Sequence, residues 1–227
     1  MLKKWLPLLI IIVLMGAFWA SGAASHFNLE TLHKHKDSFQ NYADLHPVLS
    51  VLIFSGLYII CVTLSLPIAT LLTLLGGFLF GKWWGTLIVV TAATIGATIL
   101  FMIARSSFGQ SLRDKAGPLY KKISDNVADN AVGYLLFLRL VPLFPFFIVN
   151  IVPALLNVPL RVYILTTFFG IIPGTFVYVN FGETLGDIES LGDLASPQTI
   201  IALALLGLFA FIPTLYKQIK NRRKTKS

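Results

Sequence analysis

The 227-residue chain is poor in charge, nearly free of cysteine, and its apolar stretches contain no carboxylate. Charged residues make up 12% of it, about half of the ~25% that a soluble domain uses to coat its surface. With 56% of residues hydrophobic, much of the surface must face something other than water. The one cysteine, Cys61, excludes an intramolecular disulfide, and no CxxC or other thiolate metal motif exists. It reads as a small buried apolar side chain. No Asp or Glu occurs between Asp44 and Asp114, or between Asp129 and Glu183. Proton- and cation-coupled carriers commonly rely on intramembrane carboxylates, so their absence argues against that coupling. HExxH, GxSxG, an embedded carboxylate pair and a core histidine are also missing. The chain is therefore not expected to be an enzyme, and nothing in it calls for a cofactor.

What is present is a series of apolar windows of the length that spans a bilayer, about 20 residues. A transmembrane β-barrel would show short alternating segments instead. The expected fold is an all-α polytopic membrane protein. A basic start, "MLKKW", leads into a first helix over about residues 5–22, retained rather than cleaved as a signal peptide. Residues 24–46 are polar and hold all four histidines. The spacing of "HKHKD" fits no zinc pattern and its lysines repel a cation, so no metal site is expected there; a solvated loop or interfacial helix is. Residues 47–66 form a second span, ended by Pro67, which lacks the N–H a helix needs. The piece "PIATLLTLLGGFLFG", about residues 67–81, is too short to cross and suits a re-entrant or broken segment. Residues 83–105 make a full span, and 106–130 a polar connector.

Residues 131–181 carry only Arg139 and Arg161 as charges and are interrupted by Pro142, Pro145, Pro153, Pro159 and Pro173. Residues 131–157 are expected to be a hairpin or broken helix pair, and 160–180 a span. An acidic loop and a last span over 199–216 follow. The tail "YKQIKNRRKTKS" is basic, which favours the cytoplasmic side and anionic headgroups; it is too short and unsupported for nucleic acid. The domain reading is thus residues 1–46 as N-terminal helix and polar loop, 47–185 as the membrane core with two re-entrant segments, and 186–227 as acidic loop, last helix and cytoplasmic tail. Basic residues at both ends ask for an even number of crossings, whereas a pure hairpin over 131–157 leaves five.

Three constellations bear on function. Gly77, Gly81 and Gly85 make GxxxGxxxG, a flat stripe for helix packing or a flexible joint. Lys82, Trp83 and Trp84 beside it suit an interfacial anchor. In "LRLVPLFPFFIVN", Arg139, Pro142, Pro145 and Asn150 sit where hydrocarbon is expected. Charges and broken backbone survive at that depth only against protein or a wet cavity. Embedded arginine without embedded acid favours an anionic partner, and its planar fork suits phosphate. The two proline- and glycine-broken pieces also correspond loosely between the halves of the chain, the pattern of a transporter-like repeat with a midplane site.

The stretches "PIATLLTLLGGFLFGKWWGTL", "TIGATILFMIAR", "FLRLVPLFPFFIVN" and "FFGIIPGTFVYVNFG" resemble the DedA-like superfamily, also called SNARE-associated or VTT-domain membrane proteins. Its Tvp/transmembrane-64-like branch is the most similar. The resemblance covers about residues 50–185. It implies an inverted repeat of re-entrant hairpins meeting near the bilayer centre, in relatives associated with moving or scrambling phospholipids or polyprenyl-phosphate carriers. Arg139, Pro142, Pro145, Asn150, Gly76, Gly77, Gly81 and Arg105 fall on its motif positions. Two departures stand out. The embedded acids of the DedA branch proper are missing, and Ala154, preceded by Pro153, replaces the usual glycine after the asparagine.

These readings combine into one expectation. An anionic lipid headgroup is bound by Arg139, Asn150 and Arg105, with Pro67, Gly76, Gly77, Gly81, Pro142, Pro145, Pro173 and Gly174 as hinges. The protein is expected in the cell (plasma) membrane, as in a bacterial inner membrane. A structural or assembly role, or carriage of a small soluble anion, are the alternatives.

Overall fold

The computed structural model describes residues 36–66, 68–115, 130–140, 146–156 and 158–183, with Val13, Gly16 and Val127 as single positions. The expected first helix, Pro67, Pro142, Pro145, the acidic loop, the last span and the basic tail lie outside the described residues. Among the described residues all regular structure is helical: α1 (Lys36–Leu45), α2 (Pro47–Thr63), α3 (Ala69–Lys115), α4 (Ala131–Leu140), α5 (Phe146–Leu155) and α6 (Leu160–Glu183).

The segment expected as a loop or interfacial helix ends in helix α1. Pro47 then opens α2 at its first turn, where a missing N–H costs nothing and a fixed φ helps. The helix closes in a Schellman turn. Ser65 takes φ 53°, Leu66 N–H donates to Cys61 O (2.9 Å) and Ser65 N–H to Val62 O (3.0 Å), so the last carbonyls are satisfied without water.

The glycine stripe does not lie on one continuous helix. At Gly81 the backbone takes φ 68°, ψ 172°, a conformation essentially confined to glycine. The chain turns back there. A Cβ on Gly85 would sit 2.6 Å from Gly76 O, and one on Gly76 would sit 2.8 Å from Val89 Cγ2. In a straight helix residues 76 and 85 would be about 13 Å apart along the axis. Residues 69–80 therefore form a short arm folded against the long arm that follows. Helix α2 packs on both arms. Tyr58 OH meets Thr73 Oγ1 at 2.9 Å, Phe54 packs edge-on to Phe80, and Thr63 Oγ1 donates to Gly96 O at 3.2 Å.

The short arm crosses the end of α6 antiparallel. Gly77 lies against Val179 O and Gly182 against Leu74 O, so closely that neither position has room for a Cβ. At the other end of α6, Tyr163 stacks on Phe101 of the long arm, centroids 4.2 Å apart. Helix α5 packs on α3, and α4 on α6. Helix α6 continues through Pro173.

Two stretches, Ala69–Ser107 (which includes the Gly81 break) and Leu160–Glu183, are long and apolar enough to cross a membrane; α2, with 17 residues, is at the short limit. The surface is apolar where a water-soluble fold is polar: Leu52, Ile60, Leu165 and Phe169 are exposed, while Thr73, Asn150, Thr166 and Thr167 are buried within an otherwise apolar core. Such a surface suits hydrocarbon, and burial keeps the polar groups away from it.

Candidate functional site

The buried polar groups gather around Tyr163, which is fully buried near the start of α6. A tyrosine hydroxyl inside a core needs a partner. Here it donates to Asn150 Oδ1 on α5 at 2.8 Å and lies 3.2 Å from Ala97 O on α3. Over the ring of Tyr163 lies the Arg139 guanidinium, its Cζ 5.3 Å from the centroid. Arg139 Nη2 donates to Thr167 Oγ1 at 2.8 Å. Most membrane-depth threonines here turn their hydroxyl back to the carbonyl four residues earlier, as Thr73, Thr94 and Thr166 do. Thr167 instead serves the arginine. The arginine reaches this point because Gly170 leaves room for its stem; a Cβ there would lie 2.9 Å from Arg139 Cβ.

Two donors in this cluster have no acceptor among the described residues. Arg139 Nε and Asn150 Nδ2 are both buried and without a hydrogen-bond partner there. No carboxylate among the described residues pairs with Arg139. The cluster is thus cationic, rich in N–H donors and poor in acceptors, so it offers binding to an oxygen-rich anion.

Of the three residues expected to bind substrate, Arg139 and Asn150 come together, both against Tyr163. Arg105 stands apart at the turn between α5 and α6. It donates to Val158 O at 3.2 Å, with its Cζ 5.9 Å from the Phe101 centroid. Of the expected hinges, Gly81 is the break itself, and Gly76 and Gly77 are close-approach points. Gly174 is helical and faces open space.

Tyr163 and Thr167 were not singled out from the sequence. A tyrosine in the middle of an apolar span, whose hydroxyl must find a partner, is the signal that points to the first; Thr167 carries none. Nor did the sequence show that Glu183, at the end of α6, reaches the Gly81 turn. Its carboxylate accepts from Lys82 N–H at 3.3 Å and pairs with Lys82 Nζ at 3.6 Å. No group of His, Cys, Asp and Glu among the described residues is arranged to hold a metal.

Residues 66–184, just over half of the chain, match the VTT domain. The chain belongs to the VTT-domain family. Among curated relatives, this VTT-domain protein is 31% identical to the Transmembrane protein 41 homolog of Dictyostelium discoideum, over 84% of the present chain and 58% of that relative. It is 28% identical to Transmembrane protein 41B of Xenopus tropicalis over 85% of the chain and 68% of the relative. An uncharacterized membrane protein of Arabidopsis thaliana is 29% identical over 81% and 65%. The chain thus spans 58% of the length of the Dictyostelium relative. No solved structure matches it. Family, relatives and apolar helices agree that this is a membrane protein.

Proposed function

We propose that this VTT-domain protein moves an anionic lipid headgroup across the bilayer, with Arg139 and Asn150 holding its phosphate. The observation that carries this reading is the pair of buried donors without acceptors, Arg139 Nε and Asn150 Nδ2. Leaving such a group unpaired costs about 1–3 kcal/mol, and phosphate oxygens would relieve both. A membrane supplies phosphate on every phospholipid and on polyprenyl phosphates. The relatives' names say only that they are transmembrane proteins.

In this reading the arms that reverse at Gly81, and α5 with the start of α6, are two re-entrant segments of a pseudo-repeat. The hydrogen bonds at their turns support it. The end of the long arm of α3 reaches the second turn through Arg105, and the end of α6 reaches the first through Glu183. Arg105 precedes Glu183 by about the interval that separates the turns. Each turn would then be braced by a residue from the opposite half of the domain. The cell membrane is its proposed location.

The test is reconstitution in liposomes with labelled phospholipid or polyprenyl phosphate, following headgroup accessibility. Arg139→Met keeps the stem against Gly170 and removes the donors. Asn150→Leu removes the amide. Each is expected to slow headgroup movement ten- to a hundred-fold, the worth of a hydrogen bond to a charged group, at normal abundance. Lipid movement no faster than in empty liposomes for the wild type would sink the proposal. Activity and abundance falling together would assign these residues to assembly. Uptake of inorganic phosphate without lipid movement would make the substrate a soluble anion.

A further inference from the structure

We propose that a second, oppositely charged site lies between α1, the start of α2 and the Gly81 turn, and that it binds the ammonium of a zwitterionic phospholipid headgroup. A cleft of about 320 Å³ opens there, lined by Asp44, Val51, Leu79, Phe80, Trp84 and Ile88 among others. That volume falls at the lower end of small-molecule sites. Its chemistry is one carboxylate among apolar and aromatic walls. The Asp44 carboxylate makes no hydrogen bond or ion pair among the described residues, whereas Glu183, which also reaches this turn, is engaged by Lys82. A carboxylate in a cleft lined by Phe80 and Trp84 complements a cation, and a quaternary ammonium best of all, because its methyls can pack on aromatic rings. The same carboxylate repels a bare phosphate. The cleft therefore does not duplicate the arginine cluster.

Two observations make the occupant a lipid. Trp83 and Trp84 are 72% and 69% exposed, and tryptophans outside a membrane core settle at headgroup depth, which places the cleft mouth where ammonium groups lie. Helix α2 leads away from the cleft with Leu49, Leu52, Ile53 and Ile60 exposed along it. Acyl chains of a lipid held by its headgroup would cover that ridge; a soluble amine would not.

Native mass spectrometry of the full chain, released from detergent with equal amounts of phosphatidylcholine, phosphatidylethanolamine and phosphatidylglycerol of identical acyl chains, tests this. The two ammonium lipids are expected to be retained about ten-fold over phosphatidylglycerol, the size of a partly desolvated cation–π and charge contact. Asp44→Asn, on an exposed position and so tolerated by the fold, is expected to abolish the preference. Val51→Trp, which fills the cleft, is expected to lose the ammonium lipids and leave phosphatidylglycerol retention unchanged. Equal retention of all three lipids by the wild type overturns the proposal, as does a preference that survives Asp44→Asn. Displacement of phosphatidylcholine by tetramethylammonium at equal concentration also overturns it, because the chains would then contribute nothing.

Discussion

The two ends of α6 are packed by opposite means. Toward its C-terminus, Val179 and Gly182 meet the short arm of α3 backbone to backbone, with glycines on both sides of the crossing. Toward its start, Tyr163, Thr167 and Gly170 meet α4 and α5 through hydrogen bonds and an arginine stem. In lipid, where apolar surface gains little by leaving the solvent, both are good ways to hold helices together. They differ in what they leave over. The glycine crossing is complete in itself. The polar crossing ends with donors that nothing in the described chain accepts. One end of α6 is closed on itself, and the other keeps unpaired donors.

Substitutions can break that contrast. The largest effect is expected at the glycine crossing. Gly77→Ala or Gly182→Ala drives a methyl into backbone that cannot swing away, and should destabilise by about 3 kcal/mol, at the upper end of overpacking. Thermal unfolding in detergent would read this, with Gly174→Ala on the same helix, facing open space, expected to lose nothing. Next is Tyr163→Phe. It strips Asn150 Oδ1 of its donor and should cost about 1–2 kcal/mol, while preserving the stack on Phe101. A loss as large as that at Gly77 would erase the distinction between the two ends. The smallest effect belongs to Glu183→Gln. The ion pair with Lys82 is more than a third exposed on each side, so the change should remain below about 1 kcal/mol and shrink further in salt.

The same contrast explains what could be read in advance. Gly81 announces itself through residue type, because its backbone conformation is open to glycine almost alone, whereas α2 closes on Ser65 and α6 runs through Pro173. The expected end of the short piece at residue 81 coincides with the turn at Gly81. The expected spans over 47–66 and 160–180 correspond to α2 and α6. Arg139 and Asn150 stand out because their chemistry is foreign to hydrocarbon. What stayed hidden was partnership. Tyr163 lies 13 residues from Asn150 and Thr167 28 from Arg139, across turns whose geometry local pattern does not determine. The glycine stripe left two readings open, a packing stripe or a joint. GxxxGxxxG has helical spacing, but φ 68° at its middle glycine puts Gly77 and Gly85 on opposite arms of a reversal, so the joint reading holds. Spacing cannot tell a glycine that packs from a glycine that turns.

The contact of the Gly81 turn with Glu183 also sets a schedule. The two ends of that hydrogen bond lie 101 positions apart, and the surface that covers Gly77 and Leu74 is the last of the described chain to be made. At ~5–20 residues per second of synthesis, the first hairpin waits roughly 5–20 s, bare along its glycine face, before its cover arrives. During that interval a surface shaped for another helix has only what is already made, and lipid, to face. Among the described residues, this crowded interface is the last to close.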